Sequence, residues 1–329
     1  MKNKQIIPML KRWTKIILGK SAAAVQQGIG RCYEKTEIRG YYNDLTNKVT
    51  PATLLDSNGI PYNLMSSGAK VYSLVTISQY ALGCYDLFLL NNDYDKLQIF
   101  LKLAEYLYDK QEFNGKWDAR SSMGSYRDNS SCMAQGQGTS IMLRAYLKTG
   151  NQKFLDSAKK AIDFMITPVM NGGTMIEKGD DISFEKYPPE NGEVSSVLNG
   201  WAFALFGLYD YYIATKNVDI KKIFDKSCKT MATKIDKYDC GYWSMYDLVG
   251  TIASPAYHDL DIALLNVLSD LSGQENMKYY ADRFESYTKN PIYKGMAITK
   301  KALQKFTTKS DTFIVQWEIA WNWEEYEYG

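Results

Sequence analysis

The sequence predicts a mainly α protein, an incomplete α/α toroid of about four helical hairpins with a small N-terminal β or irregular extension. Four segments share one layout, in which an apolar helical pattern is followed by a short polar turn and an amphipathic helical pattern. Their starts are spaced by roughly 60 residues. The first helices carry small residues, as in SQYALGCY, AQGQGTS and LNGWAFALFG, and these residues permit close packing in an inner layer.

The N-terminal element of the prediction is a basic amphipathic helix over residues 1–20. Ile6, Leu10, Trp13 and Ile17 fall on one face of this helix, and most of the lysines fall off it. The pattern is compatible with contact with an anionic membrane surface, and the alternative is packing against the protein's own body. Basic residues interrupt the apolar run, so we expect neither a signal peptide nor a membrane-spanning helix here.

The remaining elements follow in chain order. Residues 21–70 contain turn signals such as DSNG and are expected to form an extension with short strands. Residues 71–306 are expected to form the toroid, and the aromatic tail over 307–329 is expected to pack on it. The predicted hairpins run from about Tyr72 to Lys110, Cys132 to Ile166, Ser196 to Ile235 and Tyr257 to Thr288.

Three long connections each link the second helix of one hairpin to the first helix of the next. In a toroid all three connections lie at the same end, because each of them follows an outer helix and precedes an inner helix. Long loops on a rigid scaffold commonly carry function. We therefore expect the functional site at this end of the toroid.

Composition argues against several classes of function. The net charge is +2, which leaves no electrostatic footprint for nucleic acid. One histidine, five cysteines and the lack of a C-x-x-C motif argue against a zinc site and fit reduced thiols in a cytoplasm. The GIG and GQG segments lack the rest of a phosphate-binding fingerprint. We expect no metal, no cofactor and a cytoplasmic protein, placed at the inner face of the membrane if residues 1–20 bind lipid.

Phenols and charged groups gather in two of the long loops. One loop contains FEKYPPE, and the next contains MYDL and AYH together with the only histidine of the chain. The residues concerned are Glu185, Lys186, Tyr187, Tyr246, Tyr257 and His258. Packing is the simpler explanation for any single tyrosine, but several phenols and a carboxylate at one end of a toroid can form a site for acid–base chemistry.

Four motifs occur in order over roughly residues 60–300. They are VTISQYALGCYDL, MAQGQGTSIMLRAYL, EKYPPENGEVSSVLNGWAFALFGLYD, and YDCGYWSMYDL with AYHDLDIALLN. Together they resemble the C-terminal catalytic domain of heparosan D-glucuronyl C5-epimerases. The resemblance implies an α/α toroid, in agreement with the repeat. It also implies an isomerase that removes the C5 proton of D-glucuronic acid units within a polysaccharide and returns a proton to the opposite face, giving L-iduronic acid.

The resemblance also implies site residues. The family's three catalytic tyrosines correspond to Tyr187 in EKYP, Tyr246 in MYDL and Tyr257 in AYH. Its catalytic glutamate corresponds to Glu185, offset by one position, because Lys186 stands directly before the tyrosine. The predicted substrate-binding residues are Lys186, Asn199, His258, Gln135, Gln137, Trp117 and Arg120.

Tyrosine suits the chemistry that the resemblance implies. A phenol with an ordinary pKa of about 10 stays protonated at neutral pH, and a phenolate near a cation is a stronger base than imidazole. Lys186 leaves two hypotheses open. In one, the lysine holds the substrate carboxylate and favours a neighbouring phenolate. In the other, which we favour from the sequence, Lys186 faces solvent and Glu185 fills the carboxylate role.

Other functions remain open at this stage. Val249 and Asp261 replace an arginine and a second histidine of the family pattern. A uronate polysaccharide lyase begins with the same proton abstraction and then expels the C4 oxygen. A polysaccharide-binding toroid without catalysis is a further alternative. In each case the expected partner is a uronic-acid-containing polysaccharide, with no nucleic acid, and the sequence leaves a homodimer open.

Overall fold

The structure is a computed structural model that describes residues 25–64, 70–119, 129–189 and 194–307. The predicted basic helix over 1–20 and all but the first residue of the predicted tail over 307–329 lie outside the described residues. Both therefore stay predictions, together with the membrane contact expected from the N-terminal helix.

Four helical hairpins form the body of the protein, each within a few residues of the bounds that the sequence predicts. A further helix, α9 (Pro291–Thr307), follows the last hairpin. The prediction of a mainly α protein built from a toroid of hairpins is confirmed. The hairpins are α1 (Leu74–Asn91) with α2 (Tyr94–Lys110), α3 (Cys132–Thr149) with α4 (Gln152–Met165), α5 (Leu198–Thr215) with α6 (Val218–Lys234), and α7 (Pro255–Ser272) with α8 (Glu275–Thr288).

The polar turns within the hairpins work as helix caps. Asp93, Asn151 and Asn217 precede the second helices of three hairpins, and each side chain accepts a hydrogen bond from a backbone N–H of the first turn. Gly150 and Gly273 end α3 and α7 in the left-handed conformation, which glycine adopts without strain. The turns are thus specified locally by the residues that the sequence places there.

The first helices form an inner layer and the second helices an outer layer. The first fourteen residues of both α3 and α5 are buried, whereas α2 buries only Phe100, Leu103, Ala104 and Leu107. Helix α3 packs between α1 and α5, and α5 also packs against α7. The α3–α5 contact depends on glycine, since a Cβ on Gly136 would lie 2.2 Å from the carbonyl oxygen of Phe203.

Strands are short and lie outside the helical layers. Residues 25–64 are mostly irregular, with a turn at Asp56–Gly59 closed by a backbone hydrogen bond. A second hairpin of strands, which the sequence analysis did not predict, stands in the loop between α4 and α5. The strands are β1 (Asn63–Leu64) paired with β2 (Lys70–Val71), and β3 (Met175–Lys178) paired with β4 (Asp181–Phe184), both antiparallel.

The N-terminal segment closes one end of the inner layer. The backbone N–H of Tyr41 donates to Asp86 near the end of α1 at 2.9 Å, and the Tyr42 hydroxyl donates to Asp210 near the end of α5 at 2.8 Å. The Arg144 guanidinium, near the end of α3, donates to the Gly40 carbonyl at 2.9 Å. These ends are all C-terminal ends of inner helices, so the segment covers the end opposite to the long loops.

Removing one partner of a buried ion pair within this closure is expected to lower stability strongly. The Arg144 guanidinium lies 2.7 Å from the Asp210 carboxylate, and both side chains are 1% exposed. Arg144→Met would leave Asp210 buried without its charge partner, at a cost of about 3–5 kcal/mol of unfolding free energy. Urea unfolding measures this loss. Lys159→Met, which breaks an exposed pair with Asp163, is the control and should cost less than about 1 kcal/mol.

Within the described ranges of the chain, no helix combines the length and the apolar character needed to cross a bilayer.

Candidate active site

The second and third long loops meet at the N-terminal ends of the inner helices. The backbone N–H of Cys132, at the start of α3, donates to the carbonyl of Glu185 in the second loop at 3.0 Å. The backbone N–H of Leu198, at the start of α5, donates to the carbonyl of Tyr246 in the third loop at 3.1 Å. The loop residues that the sequence singled out therefore lie at one end, as the repeat predicted.

Lys186 is the centre of this meeting point. Its ammonium nitrogen donates to the Tyr246 hydroxyl at 3.0 Å and to the Asn199 amide oxygen at 3.2 Å. The same nitrogen lies 5.5, 5.4 and 6.0 Å from the ring centroids of Tyr187, Tyr246 and Tyr257. The side chain is only 6% exposed. We call Lys186, Tyr187, Asn199, Tyr246 and Tyr257 the lysine–tyrosine cluster.

The aliphatic stem of Lys186 has its own place in the fold. It lies directly on the backbone of α5 at Gly200, where an added Cβ would come within 2.6 Å of the lysine Cβ and 2.8 Å of its Cδ. Only a residue without a side chain fits beneath the stem at this distance. Lys186 is therefore packed into the site, and the sequence-based hypothesis that it faces solvent is wrong.

Glu185 has a different position from the one we favoured on sequence grounds. Its carboxylate is buried and accepts hydrogen bonds from the backbone N–H and hydroxyl of both Ser195 and Ser196, at 3.0 to 3.3 Å. Burial raises the pKa of Glu185, and these four hydrogen bonds oppose the rise. The carboxylate thus fixes the entry to α5 and does not meet the phenols, which points away from a catalytic role.

The geometry of β4 explains why neighbouring residues have such different surroundings. The backbone continues the β3–β4 ladder past Phe184, because the N–H of Glu185 donates to the carbonyl of Thr174 at 2.8 Å. Side chains alternate between the two sides of extended backbone. At the end of this strand the Glu185 carboxylate meets Ser195 and Ser196, whereas the Lys186 ammonium faces the phenols.

Tyr246 and Tyr257 form a pair beside the lysine. Their ring centroids are 5.3 Å apart and their planes are inclined by 35°. Tyr246 is 8% exposed, and Tyr257 is half-buried in the first turn of α7. That turn is fixed by Ser254, whose side chain caps α7 and accepts from the Tyr257 N–H, and by Pro255 in the first turn. Tyr187, also half-buried, approaches Lys186 from the preceding loop.

His258 is a structural residue and does not line the cluster. Its side chain is buried and stacks on Trp243 with ring centroids 3.8 Å apart. Nδ1 accepts from the Ser244 N–H at 3.1 Å, so Nε2 carries the proton and donates to the Phe284 carbonyl at 3.0 Å. Both ring nitrogens are thus occupied within the core, which does not support the substrate contact predicted from the sequence.

This environment predicts a pH dependence of stability. Burial lowers the pKa of His258 to about 4 from an ordinary value of 6.5. As the pH falls, the histidine is protonated in the unfolded state before it is protonated in the folded state. The free energy of unfolding therefore decreases between pH 6.5 and pH 4, by up to about 3 kcal/mol. We expect His258→Gln to remove this contribution. Urea unfolding of both proteins across this window tests it, and a constant difference between the two would contradict the expectation.

The other predicted substrate-binding residues lie outside the cluster. Trp117 is fully buried, donates its indole N–H to the Leu107 carbonyl at 2.8 Å and packs on Gly138, a position that does not support the predicted substrate contact. The Gln135 amide donates to the Trp117 carbonyl at 3.3 Å, which makes it a brace for the first loop. Gln137 is buried on α3, and neither atom of its amide group has a hydrogen-bond partner among the described residues.

Arg120 lies outside the described residues, so its predicted role stays a prediction. Within the described ranges, no cluster of three or more histidine, cysteine or acidic side chains is placed to hold a metal ion.

Two residues near the cluster were missed as site residues. Lys301 on α9 is 7% exposed, and its ammonium lies 5.6 Å from the ring centroid of Tyr246. A signal was present, because Lys301 lies four residues after the buried Ala297 and so occupies the buried face of an amphipathic helix. Asp261, noted only as a departure from the family, lies one turn after Tyr257 on α7 and is 1% exposed.

Asp261 adds a buried acid to this face of α7. Its Oδ2 accepts from the Ser244 hydroxyl at 3.1 Å, and its Oδ1 has no hydrogen-bond partner among the described residues. Burial raises the pKa of Asp261 well above its ordinary value, while the bond from Ser244 and the charge of Lys186 oppose the rise. The negative charge is thus disfavoured here.

Fold and site together define an α/α toroid with a cluster of phenols and one ammonium at the end that carries the long loops. A sequence profile described as the D-glucuronyl C5-epimerase C-terminus matches residues 111–286. This match covers more than half of the chain, and the chain belongs to that family. The matched segment contains every residue of the lysine–tyrosine cluster.

Individual relatives agree with this family. The chain is 30% identical over 176 residues to a D-glucuronyl C5-epimerase of Caenorhabditis elegans, across 48% of this chain and 28% of the relative. It is 32% identical over 141 residues to an uncharacterized protein of Methanocaldococcus jannaschii, across 41% of this chain and 45% of that protein. The matched regions thus span less than half the length of either relative.

One solved structure is similar to a larger share of the chain. It is a structure whose name includes UGL and dGlcA-Glc-Rha-Glc, and the similarity covers 68% of this chain and 60% of the chain in that structure. The TM-score is 0.43 at 14% sequence identity. A likeness of this degree is too weak to define the site or its chemistry.

Proposed function

We propose that the protein is a polysaccharide uronate C5-epimerase, which converts D-glucuronic acid units to L-iduronic acid units within the polymer. The observation that carries the proposal is the position of the Lys186 ammonium, 3.0 Å from the Tyr246 hydroxyl and within about 6 Å of three phenol rings. Membership of the C5-epimerase family supports it.

The reaction needs two proton-transfer groups on opposite faces of one sugar ring. The C5 hydrogen is weakly acidic because it is adjacent to a carboxylate, so its removal needs a strong base and a stabilised negative charge. We assign the two faces to the Tyr246–Tyr257 pair on one side and Tyr187 on the other. A phenolate takes the C5 proton from one face, and a phenol on the other face returns a proton to the same carbon.

Lys186 stabilises the negative charges that are present in this reaction. Its ammonium stabilises a Tyr246 phenolate through the 3.0 Å contact. It also neutralises the substrate carboxylate, on which charge builds up when the C5 proton leaves. Asn199 supports the sugar, because its Oδ1 orients the lysine and its Nδ2, which has no protein partner among the described residues, can donate to a sugar hydroxyl.

Proton NMR in deuterated water tests the proposal. Heparosan and at least one other glucuronate polysaccharide would be incubated separately with the full chain. We expect the glucuronate H5 signal to fall and iduronate signals to appear, with deuterium at C5 and no change in polymer length. A shortened polymer with ultraviolet-absorbing unsaturated ends would replace the epimerase by a lyase. Binding without any exchange at C5 would identify a non-catalytic binding protein.

A further inference from the structure

Helix α9 is hydrogen-bonded to the hairpin that carries Tyr246, and we call this contact the grip of α9. The helix lies beyond the segment matched by the family profile. The Gln304 amide accepts from the Ile252 N–H at 3.0 Å and donates to the Gly250 carbonyl at 2.7 Å. The Lys301 ammonium donates to the Ile252 carbonyl at 2.8 Å. Two side chains of one helix thus make three hydrogen bonds to a three-residue stretch of backbone.

The gripped stretch pairs directly with the backbone of Tyr246. The N–H of Tyr246 donates to the Thr251 carbonyl at 2.7 Å, and Met245 and Ile252 form an antiparallel bridge. Asp247 completes the turn by accepting from the Thr251 N–H at 2.8 Å. Through this pairing, a shift of residues 250–252 is expected to disturb the Tyr246 backbone.

Lys301 contributes charge as well as a hydrogen bond. It places a second ammonium near the Tyr246 ring, at 5.6 Å from the centroid, while Lys186 lies 5.4 Å from the same centroid. Burial lowers the pKa of Lys301 to about 8, and Asp247 opposes this. Burying an ammonium is costly, and an uncharged side chain would fill the same volume without that cost. The position of the charge beside the phenol gives the lysine a role.

We propose that Lys301 and Gln304 are positioning residues, which hold the hairpin of residues 244–253 so that the Tyr246 hydroxyl meets the Lys186 ammonium. The contact at stake is the 3.0 Å hydrogen bond on which the proposed function also rests. The strand that carries Tyr246 is held by the Leu198 N–H and by His258 and Asp261 at Ser244, and α9 holds the partner strand at residues 250–252. Both attachments are needed to fix where the Tyr246 hydroxyl lies.

Hydrogen exchange of the free protein tests the grip without any substrate. In the full chain, Lys301→Met and Gln304→Ala should each speed amide exchange of residues 245–252 about tenfold, the effect of losing one or two hydrogen bonds. Exchange in α5 should stay as in the wild type. Lys300→Met, one position away on α9, is the matched control and should leave both regions unchanged. Wild-type exchange of residues 245–252 in both Lys301→Met and Gln304→Ala would overturn the proposal.

Conservative variants separate positioning from general stability. Lys301→Arg keeps a donor for the Ile252 carbonyl and should restore most of the protection. Gln304→Glu keeps the acceptor for the Ile252 N–H but loses the donor to Gly250, so it should loosen the hairpin less than Gln304→Ala. If Lys301→Met fails to fold, the two Gln304 variants still test the proposal. Wild-type protection of residues 245–252 in both Gln304→Glu and Gln304→Ala would contradict it.

Turnover provides the functional readout and rests on the proposed function. With a polymer that the wild type epimerises, Lys301→Met should lower kcat about tenfold and change KM less than about threefold, because a misplaced phenol affects the transition state more than binding. A loosened hairpin with wild-type kcat would overturn the positioning role. If the wild type shows no exchange at C5, the proposed function fails, and amide exchange alone then decides whether α9 holds the hairpin.

Discussion

Tyr257→Phe is expected to lower the rate of C5 exchange by roughly 10²- to 10⁴-fold, the usual effect of losing one acid–base group. The phenylalanine ring keeps the packing against Tyr246, whose centroid is 5.3 Å away, so the site should keep its shape. Only the hydroxyl that moves the proton is lost. Deuterium incorporation followed by NMR gives the rate, and polymer affinity should stay within about threefold of the wild type.

Tyr242→Phe is the matched control for this variant. Tyr242 lies in the third long loop, ahead of α7, and is half-buried, but its ring packs on Tyr293 rather than on the cluster. Its exchange rate should equal that of the wild type. If Tyr257→Phe also turned over normally, Tyr257 would be a packing residue and the assignment of the phenol pair would be wrong.

Lys186→Met is expected to reduce exchange by about 10²-fold or more. A hydrogen bond to a charged group contributes about 1.5–3 kcal/mol, and the lysine makes two, to Tyr246 and Asn199. Methionine keeps the stem that lies on Gly200, so the loss would come from the ammonium. The rate of deuterium incorporation is the measurement, and Lys178→Met, at an exposed position in β3, is the control.

Lys186→Glu separates the two hypotheses that the sequence left open. It restores the residue type of the family, and it would raise activity if the lysine were a drifted position. The structure predicts the opposite, because a carboxylate beside Tyr246 would disfavour its phenolate and would repel the substrate carboxylate. An active Lys186→Glu enzyme would contradict the role proposed for the lysine charge.

The helical hairpins could be predicted because their signals are local. Each hairpin appears in the sequence as an apolar helical pattern, a polar turn and an amphipathic helical pattern. The turn residues Asp93, Asn151 and Asn217 cap the second helices. The end of the toroid that carries the loops follows from the order of the helices alone. Neither conclusion needs knowledge of which side chain faces which.

The details of the site depend on directions that sequence patterns do not carry. Glu185 and Lys186 are neighbours just after β4, and yet the first is a buried anchor for Ser195 and Ser196 while the second faces the phenols. Tyr257 and His258 are neighbours on a helix, where successive side chains differ by about 100° in direction. The motif that contains both therefore holds one cluster residue and one core residue. The β3–β4 hairpin, which sets the first of these directions, left no strong signal in its loop.

Closure of the toroid by the N-terminal segment limits how a long polymer can be engaged. Tyr41, Tyr42 and the Arg144–Asp210 pair fill the end opposite to the loops, and all are buried. The described residues thus fill this end, and under the proposed function a polysaccharide would reach Lys186 across the mouth of the toroid. On that route both arms of the polymer would leave over the rim, and an internal unit would be reached as readily as a terminal one. A site of this kind would act without a free chain end.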